Sequence, residues 1–580
     1  METVKTKDKF FSGERKARLI IAILVSLSLA LVLFVVAPLD IFAVNLEEFN
    51  FSFSDFALYL FIFAIVNAIL IFVLLFFIPR KGYRVILALL IATGLLLIIQ
   101  QNFLNFNMTS LPGDNISSEL PVWQIIVDAA VWIGGYTLAV VLVTRKDDKG
   151  RIQTTALILA VIMFAMEFVS VLSVIITNPD MFTDKLDRMG DGFEVLTFKN
   201  YTDIGGSNNV FYFVVDRFDE DFAEETYNAD ESVFSDLDGF TWYQDNIANY
   251  GHTFPAIANM LTNKPYSASS LRAEYLDNVY EGDTPLKSLN DKGYNINLYT
   301  QPYYSFTEAQ RLPDYVLNKG KAVSVKSADK STFALNMAYF SLYRGLPLIF
   351  KKHLTFGSTA SINSLTIFNG EIDGKIYSGY NADTKEAYFE MADNSFNSVA
   401  GGKQFSFIHI AGCHGEDYNE DWGNGGDIKS SVINSFKLVK GYIAQMKEQG
   451  VYDNATIIIT GDHSDPHFNN NNISEPRLTA LFVKKSGDTG KFRTSAAQTS
   501  HNDIWATIFE SEGLDKTTLG EGYSTSVFDV SENMNRTRNF VWHTYSLDCD
   551  EYFWEITGQG KNFSNWNCVE QKHYNKFIMN

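Results

Sequence analysis

The chain has 580 residues, 46% of them hydrophobic, and a formal net charge of −20. It is too long for one ordinary domain, and so acidic a balance excludes nucleic acid as a partner, because phosphate contacts need clustered Lys and Arg. Solubility of a polar domain is the plain reason for the charge.

The first third is apolar in blocks. Runs at about 18–38, 56–78, 83–100, 122–143 and 153–177 are each long enough to cross a hydrocarbon core, which takes roughly 20 residues. Basic residues fix the expected orientation. Lys5, Lys7, Lys9, Arg15, Lys16 and Arg18 precede the first run, PRKGYR separates the second and third, and TRKDDKGR the fourth and fifth, whereas the alternate loops lack Lys and Arg. These basic segments belong on the cytoplasmic side. Five crossings then leave everything after about residue 178 outside, on a multi-pass membrane protein with a cytoplasmic N-terminus. A cleaved signal peptide is not expected, because the first run is long and further spans follow.

Residues 1–177 are therefore read as a five-span transmembrane domain and 178–207 as a linker. From 208 to 530 apolar, β-rich runs (VFYFVVD, YNINLYT, FSFIHIAG, ATIIITGD, LTALFVKK) alternate with amphipathic helices, an α/β pattern with a mainly parallel sheet between helices. In SVINSFKLVKGYIAQMKEQG, the residues Val432, Phe436, Val439, Ile443 and Met446 share one face, and Gly450 ends the helix ahead of the next strand. A parallel crossover follows. Residues 531–580 read as a β-type appendage. Cys549 and Cys568 lie in it, and their spacing does not establish a bridge; Cys413 reads as a buried, inert thiol.

Three stretches carry chemistry. VFYFVVDRF ends on Asp216, YGHTFPAIANML carries Thr253, and ATIIITGDHSD carries Asp462 and His463. An apolar run that stops on a carboxylate is a buried strand delivering an oxygen at its C-terminal end, where ligands sit in open parallel sheets. Thr253, followed by Pro255 and then by Ile257, Met260 and Leu261 at helical spacing, reads as an N-cap, and a helix N-terminus cradles phosphate. Asp216, Asp462, His463 and Thr253 together make a four-donor site for one divalent metal ion, manganese or zinc. Coordination lowers the hydroxyl pKa, making Thr253 a nucleophile and the reaction a two-step exchange through phosphothreonine.

The plainer readings are an Asp as a turn former and a Thr as only a cap. It is the three segments in chain order that favour the site. His414, in HIAGCHGEDY, and His467 are candidates to bind a phosphate oxygen or protonate a departing alkoxide. His501, in QTSHNDIWATIFE, is a candidate in the surroundings of the site, and His252 and Arg344 are weaker ones. His409, inside its strand, reads as a packed core histidine.

The order of these motifs, with MLTN after Thr253, resembles the sulfatase branch of the alkaline-phosphatase superfamily. With five preceding spans, the layout is similar to that of membrane-anchored lipoteichoic-acid synthases and phosphoethanolamine transferases. The resemblance covers about 208–530; the membrane part matches only in span number and side. It implies a sulfatase-like catalytic domain with Thr253 as nucleophile, Asp216, Asp462 and His463 as metal ligands, and His414 on the substrate. Departures narrow the reading. Formylglycine sulfatases need Cys or Ser at position 253 and Arg at 257, where Ile stands, and they begin with paired aspartates, whereas Arg217 follows Asp216. The synthases and transferases carry Glu where Asp216 sits, and the Trp and Arg signature that holds glycerol phosphate in the synthases is not found. The expectation is an envelope phosphotransferase that takes a head-group phosphate, glycerol phosphate or phosphoethanolamine, from a membrane phospholipid and hands it to a surface glycan or lipid. The alternative is a phosphodiesterase or sulfatase-type hydrolase with the same metal site.

Overall fold

The computed structural model describes the chain apart from residues 1, 47–48, 50, 106–121, 145–150, 185, 187–192, 307–311, 328–329, 352–365, 415–417, 465–466, 470–471, 476, 545–548, 577 and 579–580. It divides into two compact units. One joins Met1–Asp191 with Val325–Ile367, and the other joins Gly192–Ser324 with Phe368–Asn580.

Among the described residues of the first unit, five helices are long and apolar enough to cross a membrane: Lys16–Val44, Ser54–Phe77, Gly82–Leu104, Val122–Thr144 and Arg151–Thr177. They match the five apolar runs. A helix satisfies every backbone donor and acceptor within itself, which is the condition for a segment in hydrocarbon. The first extends beyond the expected end, through a π-helical turn at Val32–Val36 and on to Val44.

The second unit is α/β, built on a seven-stranded sheet. In chain order its strands are β1 (Asn209–Val215), β2 (Phe240–Ile247), β3 (Tyr294–Tyr299), β4 (Lys403–Ile410), β5 (Ala455–Thr460), β6 (Leu481–Lys484) and β7 (Arg493–Ser500). Their spatial order is β7-β2-β6-β5-β1-β4-β3. β5, β1, β4 and β3 pair in parallel, β6 runs antiparallel to both β5 and β2, and β7 is parallel to β2. All but β6 therefore point the same way, and their C-terminal ends open on one edge.

Every residue of β1 is buried. Val210, Tyr212 and Val214 enter one apolar cluster, and Phe211, Phe213 and Val215 enter the other. Alternate side chains point to opposite faces of a strand, so a sheet covered on both sides needs the unbroken apolar run seen in the sequence. The helix Ile428–Glu448 is capped by Asp427, which accepts from Ser430 N, and buries Val432, Phe436, Val439 and Met446. It carries the chain from β4 to β5 across β1, the expected parallel crossover.

Within 178–207 there are two short strands, Glu194–Leu196 and Asp203–Gly205. The C-terminal residues form a three-stranded antiparallel sheet of β8 (Thr537–His543), β9 (Cys549–Thr557) and β10 (Trp566–Tyr574). All three cysteines are free. Cys549 stands opposite Tyr574 and Cys568 opposite Trp554, so the two thiols of this sheet are out of register.

Candidate metal centre

The strands that share a direction deliver the predicted residues to one edge of the sheet. Asp216 directly follows β1, Asp462 and His463 follow β5 by two and three residues, and Thr253 lies in the connection after β2. Gly461 is what lets the chain turn here. A Cβ at that position would stand 2.8 Å from Phe218 O and 2.9 Å from Phe218 N, too close for any other residue.

All four predicted donors converge. Thr253 Oγ1 lies 3.4 Å from Asp216 Oδ2 and 3.3 Å from His463 Nε2. His463 Nε2 lies 3.5 Å from Asp216 Oδ1 and 3.7 Å from Asp462 Oδ2. Donors arranged tetrahedrally around one ion at about 2.1 Å stand roughly 3.4 Å apart, so the observed spacings suit a single cation. Two further facts agree. Asp216 Oδ1 and Asp462 Oδ2 are buried and make no hydrogen bond, a costly state for a carboxylate oxygen without a cation. His463 Nδ1 faces the carbonyl of Ser464 at 2.8 Å and must donate to it, which leaves Nε2, facing the carboxylates, as the nitrogen that a cation would take in place of a proton.

His409 overturns its reading as a packed core histidine. It is buried, as expected, but its Nε2 lies 3.6 Å from Asp216 Oδ2 and has no hydrogen-bond partner. Its ligand atom falls within 4.8 Å of those of Asp216 and Asp462. Its other nitrogen meets Thr300 Oγ1 at 3.3 Å, just past the end of β3, so a fourth strand end supports the centre. The register explains the placement. Val214 stands opposite both His409 and Thr460, and paired residues share a face, so His409 lies on the face toward which Asp216 and Asp462, each two residues further along, are directed.

Thr253 is at the expected place but not by the expected device. Phe254 is extended, at φ −95° and ψ 126°, because the residue before a proline is driven out of the helical region. Regular helix therefore starts after it, and the Thr253 side chain points to Asp216 and His463 rather than capping. Thr253 is 8% exposed.

The electrostatics follow from crowding two carboxylates and imidazoles in a dry site. Burial would raise Asp216, yet neighbouring His409 and His463 outweigh it and hold the carboxyl below the usual range. Burial and then the charge of Asp216 push Asp462 up. For His463 burial acts downward, but Asp462 and Asp216 overcome it and raise the imidazole to about 10. A bound cation would replace these protons as the charge that balances the carboxylates.

Asp462 is also held from behind, its Oδ1 accepting from Arg217 N at 2.9 Å. Arg217 adopts φ +56° to present that N–H. A side chain in the left-handed region is strained, and such strain collects at functional sites.

The remaining candidates fall at different distances. His414 is exposed, with its ring centroid 6.4 Å from that of His463. His501 directly follows β7 and sits behind the centre, its Nε2 3.3 Å from Thr460 Oγ1; burial pushes its imidazole down to about 3. His467 begins a short hairpin, His467–Asn469 with Asn472–Glu475, and its side chain lies outside the described residues. Arg344 belongs to the first unit, where it pairs with Asp40 at 2.5 Å, and is not among the side chains gathered at the strand ends.

His252, a weaker candidate, is placed by the C-terminal sheet. Its Nε2 donates to His543 O at 2.9 Å, and its ring centroid lies 4.0 Å from that of Trp542. Backbone bonds from Gly251 N to Val541 O (3.1 Å) and from Val541 N to Asn249 O (2.9 Å) tie β8 to the segment just before Thr253.

No family model matches the chain, and no curated protein matches it. Solved structures that it is similar to are members of the alkaline-phosphatase superfamily. A superfamily protein from Vibrio parahaemolyticus is 13% identical over 65% of this chain and 84% of that one, with a TM-score of 0.35. The lipoteichoic acid synthase LtaP from Listeria monocytogenes is 10% identical over 64% and 90%, TM-score 0.33. The PsFucS1 sulfatase from Pseudoalteromonas sp. is 12% identical over 64% and 84%, TM-score 0.39. Identity this low and superposition this partial say nothing about chemistry, which is read from the chain's own side chains.

Proposed function

We propose that this chain is a metal-dependent phosphotransferase of the alkaline-phosphatase type, acting at a membrane surface on a phospholipid head group. The observation that carries the reading is the convergence of a buried threonine hydroxyl, at 3.3–3.4 Å, on an imidazole and a carboxylate whose other oxygen makes no hydrogen bond. Asp216, Asp462 and His463 would hold one divalent cation, manganese or zinc, with His409 and Thr253 at its edge. When bound, that ion supplies positive charge beside the hydroxyl and the phosphoryl oxygens.

The Thr253 hydroxyl donates to Asp216 Oδ2, which orients it, and its proton leaves to water as the Oγ1–P bond forms. The P–O bond to the diacylglycerol breaks, and an imidazole at the mouth, His414, returns a proton to the departing oxygen. In the second half, the hydroxyl of a surface glycan or lipid attacks phosphorus and gives its proton to His414, the Oγ1–P bond breaks, and Thr253 Oγ1 takes a proton from water. Five apolar helices hold the chain at the membrane, where head groups are concentrated, and the basic loops put the second unit on the extracytoplasmic side. In this scheme residues 208–530 form the catalytic domain and 531–580 pack beside it, bracing Thr253.

The test is intact-protein and peptide mass spectrometry after incubation with a labelled phospholipid and the metal. The expected result is a mass increase confined to Thr253 that disappears when envelope glycan is added, with the label recovered on the glycan. Label recovered only as a free head-group phosphate would convert the reading to a hydrolase, and no modified Thr253 would remove its mechanism.

A second expectation concerns the brace. A Cβ on Gly251 would stand 2.2 Å from Trp542 Cε3, and an aromatic ring cannot yield as a flexible chain end can. Gly251→Ala should displace the neighbouring Thr253 and lower turnover of a chromogenic phosphodiester by about 10²-fold, the cost of roughly 1 Å of misplacement. Adding Trp542→Ala should restore much of it. If the double variant is no faster than Gly251→Ala, the brace is not what orients Thr253.

A further inference from the structure

The sequence of the second unit is interrupted by Val325–Ile367, which belongs to the first unit, and its described helices, Lys330–Gly345 and Leu348–Lys351, pack among the apolar helices there. Its helix Lys330–Gly345 buries Phe333, Ala334, Met337, Phe340 and Ser341. Phe333 is the anchor. Its ring meets Phe51 at 4.4 Å and Phe56 at 4.5 Å, both nearly edge-on, and Lys330 Nζ pairs with Asp55 at 2.7 Å. The next turn is fastened by polar contacts: Asp128 accepts from Leu348 N at 3.0 Å, and Asn105 donates to Arg344 O at 3.0 Å. These contacts also give a structural role to Asp128, a fully buried carboxylate on an apolar helix.

The opposite side of the same helix is apolar too. Leu335, Tyr339 and Leu342 fall at i, i+4 and i+7 and are 60%, 38% and 42% exposed, and Ile349 and Phe350 continue the surface at 47% and 55%. A helix in water has one apolar stripe; a helix apolar on two opposed sides is covered on both. What covers the second side follows from where the first is docked. Leu39, Phe42, Phe51, Phe53 and Met181 share the apolar cluster with Phe333. They lie at the end of the first span, in the loop after it and just beyond the fifth span, which is one and the same membrane face for five alternating crossings. At the same end of the second span, Leu58 and Phe61 are likewise apolar and 65% and 58% exposed.

We infer that Lys330–Lys351 is an interfacial membrane element, lying in the leaflet at which the first and fifth spans end, with Leu335, Tyr339, Leu342, Ile349 and Phe350 in contact with lipid. Interfacial helices bury their apolar face about 5–10 Å into the head-group and acyl boundary. The chain of the globular unit would therefore enter the bilayer a second time, after the spans. This holds whatever reaction the metal centre performs.

Nitroxide accessibility in the full-length protein, reconstituted in phosphatidylcholine nanodiscs, tests it. With Cys568→Ser removing the exposed thiol, labels go at Leu342→Cys, at Leu58→Cys as lipid reference and at Asp283→Cys as aqueous reference, Asp283 having a 98% exposed side chain. The expected result is a loss of nickel-chelate collisions at 342 relative to 283, with oxygen collisions retained as at 58. Nickel access at 342 equal to that at 283 overturns the inference, and so does loss of access to both reagents, which would mean that protein covers the site. A label at Phe350→Cys gives the same readout should the first variant not assemble.

Discussion

Thr253→Ala is expected to abolish transfer, lowering turnover by 10⁴-fold or more, on the order seen when a nucleophile is removed, while the protein stays folded. The side chain is buried and its hydroxyl contacts only long, weak partners, Asp216 at 3.4 Å and His463 at 3.3 Å. Its removal costs little packing. Thr253→Ser keeps the oxygen and should retain measurable turnover and the covalent phosphoryl adduct. The decisive readout is that adduct, by mass spectrometry, together with thermal unfolding to show that the alanine variant is intact. An alanine variant that still accumulates label would place the nucleophile elsewhere and break the scheme.

The second large effect is on metal-linked stability. Asp462 is 0% exposed; Oδ1 accepts from Arg217 N and Oδ2 has no partner. Its replacement by asparagine keeps an acceptor for Arg217 but removes a charge that burial, and then the neighbouring Asp216, already disfavour. The metal-free variant should therefore melt no lower than the metal-free parent. The metal response is where the two part. Added manganese or zinc at 100 times its Kd stabilises the parent by about 2.7 kcal/mol, as mass action requires of a ligand that binds only the folded state, and should leave Asp462→Asn unmoved. Thermal unfolding with and without the ion, after chelation, measures this. Equal metal-induced shifts in parent and variant would exclude Asp462 as a ligand.

Much of this centre was legible along the chain. Asp216 and Asp462 stand out because two apolar runs end on a carboxylate with the Thr253 segment between them in chain order, and the five spans follow from length and hydropathy alone. His409 was not legible. Its position within a strand identifies it as buried, but whether a buried strand residue faces a hydrophobic cluster or a strand-end carboxylate depends on parity against the neighbouring strands. One residue of slip would turn it to the other side. The pairing of His409 and Thr460 with Val214 exists only in the assembled sheet.

The role of Thr253 divides in the same way. The sequence by itself determined that a hydroxyl would stand just ahead of the helix that ends at Thr262, because Pro255 and the apolar spacing after it permit little else. It did not determine what the hydroxyl would touch, since the same proline forces Phe254 to be extended and turns Thr253 away from the helix end. Residues 325–367 are the extreme case. Their place in the chain argues for the globular unit, and only packing assigned them to the helical one, because a helix apolar on two sides needs two apolar environments and the alternation of residues cannot say which they are.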